Sequence, residues 1–352
     1  MKILVSGGAG FIGSHLTDAL VNQGHRVIVV DNLSSGRLAN LKSARATGRA
    51  QFIRGNVKNR TLLRGLLPGV DLVFHLAAAV GVRNIIDRPL ESLMNNLQGA
   101  ASILEACHQS GGIKVVLFSS SEVYGKGLSA KLKESDDCIL GPTSVMRWSY
   151  AASKVVDEFM ALSYGKELGL PVVAVRCFNT CGPRQLGHFG MVLPRLILQA
   201  LKGETMTVYG DGLQSRCFSF VGDVVRGVLM LAENPAAEGD VFNIGSDQET
   251  TVLDLAERIK TLTGSSSRVR LVPYADVYGR DFEDIRRRVP SLDKITHLTG
   301  YRPLADLDTL LLLTIRDIAK AKQLPLPESV TRSALPSVLS YCGPDAPLRV
   351  PC

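Results

Sequence analysis

The first twenty residues constrain the chain more than any other stretch. Lys2-Ile-Leu-Val-Ser6 reads as a buried strand, Gly7-Gly-Ala-Gly10-Phe11-Ile12-Gly13 as a tight turn, and Ser14-His-Leu-Thr-Asp-Ala-Leu20 as an amphipathic helix. Gly7, Gly10 and Gly13 stand at G-x-x-G-x-x-G spacing. The first glycine permits the sharp turn, the second lets a pyrophosphate approach the backbone, and the third lets the helix close on its strand. The helix start then offers free N–H groups and a partial positive charge to an anion. A second apolar run, Arg26-Val-Ile-Val-Val30, follows and ends in Asp31. A carboxylate there, roughly 20 positions beyond the glycines, accepts from a ribose 2′-OH and repels a 2′-phosphate. A glycine triplet by itself fits any tight turn. In the order strand, turn, helix, strand, acid, it points to a dinucleotide site for NAD rather than NADP.

The rest of the chain fits a scaffold for such a site. Its 352 residues suffice for two domains, or one domain with a lobe. The net charge of +7 suits an anionic substrate. The densest basic cluster, Arg286-Arg287-Arg288, is short and lacks interleaved aromatics, so no nucleic-acid partner is expected. The seven cysteines are scattered; Cys177 and Cys181 are not followed by a second ligand pair, so reduced thiols in the cytoplasm and no metal site are expected. The apolar run over residues 66–82 carries Asp71 and His75 and is too short to span a membrane. The first strand begins at residue 2, so no signal peptide is expected.

Strands over residues 51–54, 70–78, 114–121 and 171–176 alternate with helices over 89–110 and 150–167. That alternation predicts an α/β fold, a Rossmann-like doubly wound parallel sheet spanning residues 1–180. From Cys181 the pattern loosens. Residues 187–190 read as a mobile loop. Helices over 192–201, 223–234 and 252–263 and strands over 206–209, 217–221 and 241–244 make a smaller α/β substrate lobe, 181–324. Some of these pieces are expected to return to the first sheet, so that the two lobes interleave. Residues 325–352, rich in Pro and Ser, read as an extended or disordered tail.

Tyr150 and Lys154 are four apart on a helix and share a face. Ser120, Ser121 and Glu122 end a strand at the same crevice. A free phenol has a pKa of about 10. A neighbouring ammonium and a cationic nicotinamide favour the phenolate, which then accepts a proton from a sugar hydroxyl during hydride transfer. His75, a single histidine after an apolar strand, reads as a packing residue.

With these pieces in sequence, the chain resembles the extended short-chain dehydrogenase/reductases of the nucleotide-sugar epimerase/dehydratase family. The likeness covers roughly residues 1–315 and rests on the glycine turn, His75-Leu-Ala-Ala78, Asn95-Asn96, Ser119-Ser-Ser-Glu-Val-Tyr-Gly125, Tyr150-Ala-Ala-Ser-Lys154, Arg176-Cys-Phe-Asn-Thr-Cys-Gly-Pro183 and Val208-Tyr-Gly-Asp-Gly212. The resemblance implies that Ser120 or Ser121 binds the sugar 4-OH, Tyr150 is the base and Lys154 holds the ribose. It assigns NAD to Gly7, Gly10, Phe11, Ile12 and Gly13, to Asp31 and Asn32, to Asn56 and Val57, to Leu76, Ala77 and Ala78, to Asn96, and to Ser119 with Tyr150 and Lys154. It assigns a UDP-sugar to Asn179, Met191, Val192, Tyr209, Arg216 and Arg288, with Asn179 and Arg216 on the diphosphate and Tyr209 near the base. It also implies a homodimer paired through helices at about 90–110 and 150–167.

The family shares oxidation at C4 to an enzyme-held 4-ketosugar and then diverges. Epimerisation at C4 needs nothing beyond the residues already named and leads the expectation. Glu122 speaks for the alternative, decarboxylation of UDP-glucuronate or dehydration, because a glutamate stands there in resembling enzymes of those kinds. The stretch from Tyr278 through Ser291 also looks like the end of a UDP-glucuronate decarboxylase domain. Met191 departs from that pattern, since those decarboxylases have an arginine there. Asn56 departs from the usual aspartate. A reading from another class, an NAD-binding redox sensor, runs against the intact Ser/Tyr/Lys set.

Overall fold

A computed structural model describes residues 1–81, 85, 87–187, 191–278 and 284–332. Seven strands form one parallel sheet: β1 (Lys2–Ser6), β2 (Arg26–Asp31), β3 (Ala50–Arg54), β4 (Leu72–His75), β5 (Lys114–Ser120), β6 (Val172–Cys177) and, from the later half, the strand Asp240–Ile244. Their order is Asp240–Ile244, β6, β5, β4, β1, β2, β3. The central strands are apolar throughout because both faces are covered. Ile3, Val5, Val29, Phe74 and Val116 point into one buried layer, and Leu4, Val30, Val73, Val115 and Leu117 into the other. The chain reverses direction of growth between β1 and β4, which opens a crevice beyond their carboxyl ends. The helix Phe11–Asn22 lies on one face, and helices Pro89–Gln109 and Trp148–Leu168 pack together on the other. Among the described residues no helix is long and apolar enough to cross a membrane.

The expected interleaving is present. Asp240–Ile244 pairs in parallel with β6, from Asp240 opposite Val173 to Ile244 opposite Cys177. The smaller lobe holds β7 (Thr180–Cys181), β8 (Met206–Tyr209), β9 (Ser215–Cys217), β10 (Ser219–Phe220), β12 (Glu249–Thr251), β13 (Val269–Val272) and β14 (Arg287–Arg288), with Asp240–Ile244 as β11. β9 lies between β12 and β14, β8 pairs with β13, and β7 with β10. Met206, Val208, Leu255 and Ile259 of this lobe belong to the same apolar layer as Ile3 and Val5, so the two lobes share a core.

Two expectations are corrected. The strand over 217–221 is divided: β9 ends at Cys217, β10 holds Ser219 and Phe220, and Val221 opens the helix Val221–Glu233. Val221, Val224, Val225 and Val228 recur at helical spacing and are all buried, which draws Val221 into the helix. The expected tail begins with a packed element. Glu328–Arg332 is helical, Val330 is fully buried, and its carbonyl accepts from Arg316 Nη2 at 2.8 Å. Residues 333–352 lie outside the described residues, as do 188–190 of the expected loop.

The turn after β1 tolerates only glycine at two points. Gly7 has φ +74°, and a Cβ there would lie 2.8 Å from Ala77 N; a Cβ on Gly13 would lie 2.3 Å from Gly7 O. A backbone carbonyl cannot yield as a side chain does. Gly13→Ala is therefore expected to cost about 2 kcal/mol or more, lowering Tm by several degrees, and to strip copurifying NAD. Unchanged Tm and NAD content would contradict this reading of the turn.

Candidate active site

A cleft of about 630 Å³ opens at the crevice and runs from the glycine turn into the smaller lobe. Gly7, Gly10, Phe11, Ile12 and Gly13 line one end. A Cβ on Gly10 would meet only Gly7 O, at 3.1 Å, so this glycine keeps the cleft side of the turn bare. Asp31 is buried at the end of β2, where its Oδ2 accepts from Ala9 N at 3.0 Å and its Oδ1 from Leu33 N at 2.8 Å. A bare turn at a helix start with a fixed carboxylate beside it fits a dinucleotide with a free 2′-OH. Asn32, Asn56, Val57, Leu76, Ala77, Ala78 and Ser119 line the same end.

Asn96 is the one assigned residue that does not line the cleft. It is 1% exposed; its Oδ1 accepts from Ala79 N at 2.7 Å and its Nδ2 donates to Ser153 Oγ at 3.1 Å. Buried amides need partners, and here these tie the segment after β4 to the helix that carries Tyr150. His75 is likewise held behind the wall, sharing a 2.7 Å hydrogen bond with Ser6 Oγ.

Tyr150 and Lys154 project from helix Trp148–Leu168 toward the end of β5. Lys154 Nζ donates to Phe118 O at 3.1 Å and to Asp157 Oδ2 at 3.0 Å. Burial opposes the lysine's charge, but Asp157 and Tyr150 outweigh it and raise its pKa. Withdrawal from water pushes the Tyr150 pKa up, Lys154 and a hydrogen bond with Ser120 pull it down, Glu122 pushes it up again, and the net shift is upward. A cationic nicotinamide beside it would add to the downward pull of Lys154.

The other end of the cleft is an ionic cluster. Ser120 caps the short turn Ser121–Tyr124, its Oγ accepting from Glu122 N at 3.2 Å, and this turn aims Glu122 into the cleft. Arg288 Nη1 lies 2.7 Å from Glu122 Oε1 and 3.4 Å from Ser121 Oγ. Arg147 Nη2 lies 3.5 Å from Glu122 Oε2. Burial raises the carboxyl's pKa, but Arg288 and Arg147 overcome that and bring it down to about 2. Pairing of β14 with β9 sets Arg288 opposite Arg216, and Arg216 Nη2 lies 3.0 Å from Asp284 Oδ1. Tyr274 OH donates to Asp284 Oδ2, and Gln214 Nε2 donates to Tyr274 OH at 3.0 Å.

Beyond the arginines, Arg195 lies over the Tyr209 ring at 3.9 Å, and Tyr278 meets that ring edge-on at 5.9 Å. Asn179, with φ +24°, donates its Nδ2 to Cys217 O at 3.1 Å; Met191 stands just before the helix Val192–Leu201. All the assigned substrate residues line this part of the cleft. Sequence reasoning missed Arg147, Asp284, Tyr274, Gln214 and Arg195. Only Arg147 carried a local signal, standing three residues before Tyr150.

The family described as NAD dependent epimerase/dehydratase matches residues 3–245. A UDP-N-acetyl-alpha-D-glucosaminuronate decarboxylase of Bacillus cytotoxicus is 40% identical over 86% of this chain and 92% of its own length. UDP-glucuronic acid decarboxylase 1 of Danio rerio is 35% identical over 90% of this chain and 72% of its own. Among solved structures, UDP-glucuronic acid 4-epimerase from Bacillus cereus, in complex with UDP-glucuronic acid and NAD, superposes with a TM-score of 0.82 at 31% identity, covering 91% of this chain and all of that one.

Two histidines outside the cleft lining carry a pH signature. Burial, then Lys154, lowers the His75 pKa to about 3; burial, then Arg184, lowers that of His15 to about 4. Both lie below the ordinary value of 6.5, so their contribution to stability is complete above pH 6.5. It is lost as pH falls through this window, because the unfolded chain takes up protons that the folded chain refuses. Urea unfolding midpoints should drop between pH 6.5 and 4, and His75→Asn should make that drop shallower. An unchanged slope in the variant would contradict the assignment.

Proposed function

The chain belongs to the NAD dependent epimerase/dehydratase family, and we propose that within it this protein decarboxylates a UDP-hexuronate, glucuronate or its 2-acetamido counterpart. The observation that carries the proposal is Glu122 gripped by Arg288 and Arg147. Bound NAD supplies the acceptor, and later the donor, of the C4 hydride. Tyr150 takes the C4 hydroxyl proton, Ser120 holds the same oxygen, and Lys154 offsets the charge left on the phenolate. Once C4 is a ketone, the C6 carboxylate stands β to it. The C5–C6 bond then breaks, its electrons pass into the C4–C5 enolate, carbon dioxide leaves, and a solvent proton fills C5. That route asks no base to remove the C5 hydrogen. Dehydration does ask for one, and a carboxylate with a pKa of about 2 is a weak base. The relatives by sequence named above are decarboxylases, which supports placing this reaction ahead of 4-epimerisation.

Epimerisation at C4 stands second. Met191 favours it, because a thioether offers no charge to a hexuronate carboxylate. The apolar side chains Leu90, Met94, Val156 and Phe159, exposed on helices Pro89–Gln109 and Trp148–Leu168, support a homodimer paired through those helices.

Incubation with UDP-glucuronate and with its 2-acetamido counterpart should release carbon dioxide and yield a UDP-pentose from at least one of them. Tyr150→Phe should lower kcat by about 10²–10⁴-fold with NAD still bound. A product of unchanged mass would establish epimerisation instead.

A further inference from the structure

Two adjacent carboxylates on helix Trp148–Leu168 have different partners. Glu158 is held by Arg176, whose Nη2 lies 2.7 Å from Oε2 and whose Nε lies 3.0 Å from Oε1; Ser119 Oγ donates to the same Oε1. Its charge is matched by a guanidinium. Asp157 turns instead to Lys154. Its Oδ2 accepts from Lys154 Nζ at 3.0 Å, and the side chains of lysine and acid are 3% and 1% exposed. Asp157 Oδ1 is buried with no hydrogen-bond partner among the described residues. An acceptor buried without a donor is costly. An apolar side chain of similar size would fill the space without that cost, so packing does not account for an acid here.

The ammonium is fixed from two sides. Lys154 Nζ also donates to Phe118 O at 3.1 Å, on β5, so two of its three N–H groups are engaged behind the cleft that the residue lines. Glu122 from the turn after β5, His75 of β4 and Cys177 of β6 also face the Tyr150–Lys154 pair. The helix Pro89–Gln109 meets the helix of the pair through the uncharged Asn96, which donates to Ser153 Oγ at 3.1 Å. Among these groups Asp157 is the one that bonds the ammonium as an anion.

We infer that Asp157 is a positioning residue that seats the Lys154 ammonium against β5 and, as a buried anion beside a buried cation, sets how strongly that cation acts on Tyr150. The inference rests on the proposed reading of Tyr150 as the proton acceptor. Removing a negative charge lowers the proton affinity of every group near it. Without the Asp157 charge, Tyr150 therefore ionises at lower pH, and Lys154, whose charge burial already opposes, gives up its proton at lower pH as well. Glu158 cannot take over, because Arg176 holds it.

The test is Asp157→Asn, which keeps the shape and an acceptor for Lys154 and removes the charge. Tyr150 ionisation is read from phenolate absorbance on the NAD-loaded full chain, as the difference between each protein and the same protein carrying Tyr150→Phe. Its midpoint should fall by about one pH unit, which is about tenfold more phenolate at any pH below the midpoint. Both limbs of kcat against pH should move to lower pH with it. Asp157→Ser also removes the charge and should move the midpoint the same way, which keeps the test valid if the first variant folds poorly by Tm and NAD content. A midpoint that stays in place in the folded variants overturns the inference alone. A midpoint that falls, in a protein whose Tyr150→Phe variant turns over at the unaltered rate, upholds the inference and overturns the reading of Tyr150 as the acceptor.

Discussion

The contact between Glu122 and Arg288 is the constraint around which the cleft is built. β14 lies beside β9 in register, so Arg288 and Arg216 stand opposite one another. Like charges facing across paired strands repel. Two carboxylates relieve this: Glu122, brought from the end of β5, and Asp284, from just before β14. Withdrawing charges from water is costly, and removing one partner from such a pair leaves the other uncompensated. The cluster is therefore most stable when all its members are ionised. That is a physical reason for Glu122 to hold a charge rather than exchange protons, and on the proposed function it separates loss of a carboxylate from removal of the C5 hydrogen.

The fold supplies the meeting point. Glu122, Arg147, Tyr150 and Lys154 come from the first half of the chain, and Arg216, Asp284 and Arg288 from the second. β11 crosses back to pair with β6, and the apolar layer is continuous between lobes, so the two sets are held by one core. The reversal of strand order beside β1 leaves the crevice between them. The dinucleotide end depends on backbone: bare glycines, a helix start, and Asp31 pinned by two N–H groups. The sugar end depends on side chains that neutralise one another.

What was legible in the sequence was what depends on local spacing. The glycine turn with Asp31, and the Tyr150–Lys154 pair, are each set within one strand–turn–helix unit or one helical turn, and the parallel sheet follows from alternating apolar runs. Asp284 and Tyr274 were not legible, because contacts distant in sequence place them: Arg147 meets Asp284 across the lobes, and Tyr274 meets Gln214 within the smaller one, only after folding; Arg147 showed no more than its place three residues before Tyr150. Asn96 was named through the resemblance, but its direction, toward Ala79 and Ser153, was not legible. The upward shift of Tyr150 reflects desolvation, which no spacing reports. Val330 shows the converse, a single apolar side chain that anchors a short helix in a stretch whose composition reads as disordered.

If Glu122 remains an anion held by Arg288 and Arg147, no group at the sugar end removes the hydrogen on C5. The most direct measurement is the fate of deuterium placed at C5 of UDP-glucuronate during turnover in ordinary water. Full retention of that deuterium in the UDP-pentose, with a single solvent hydrogen added beside it, is expected. Release of the deuterium to solvent would mean that a base acts at C5, and would contradict the role given to this ion pair.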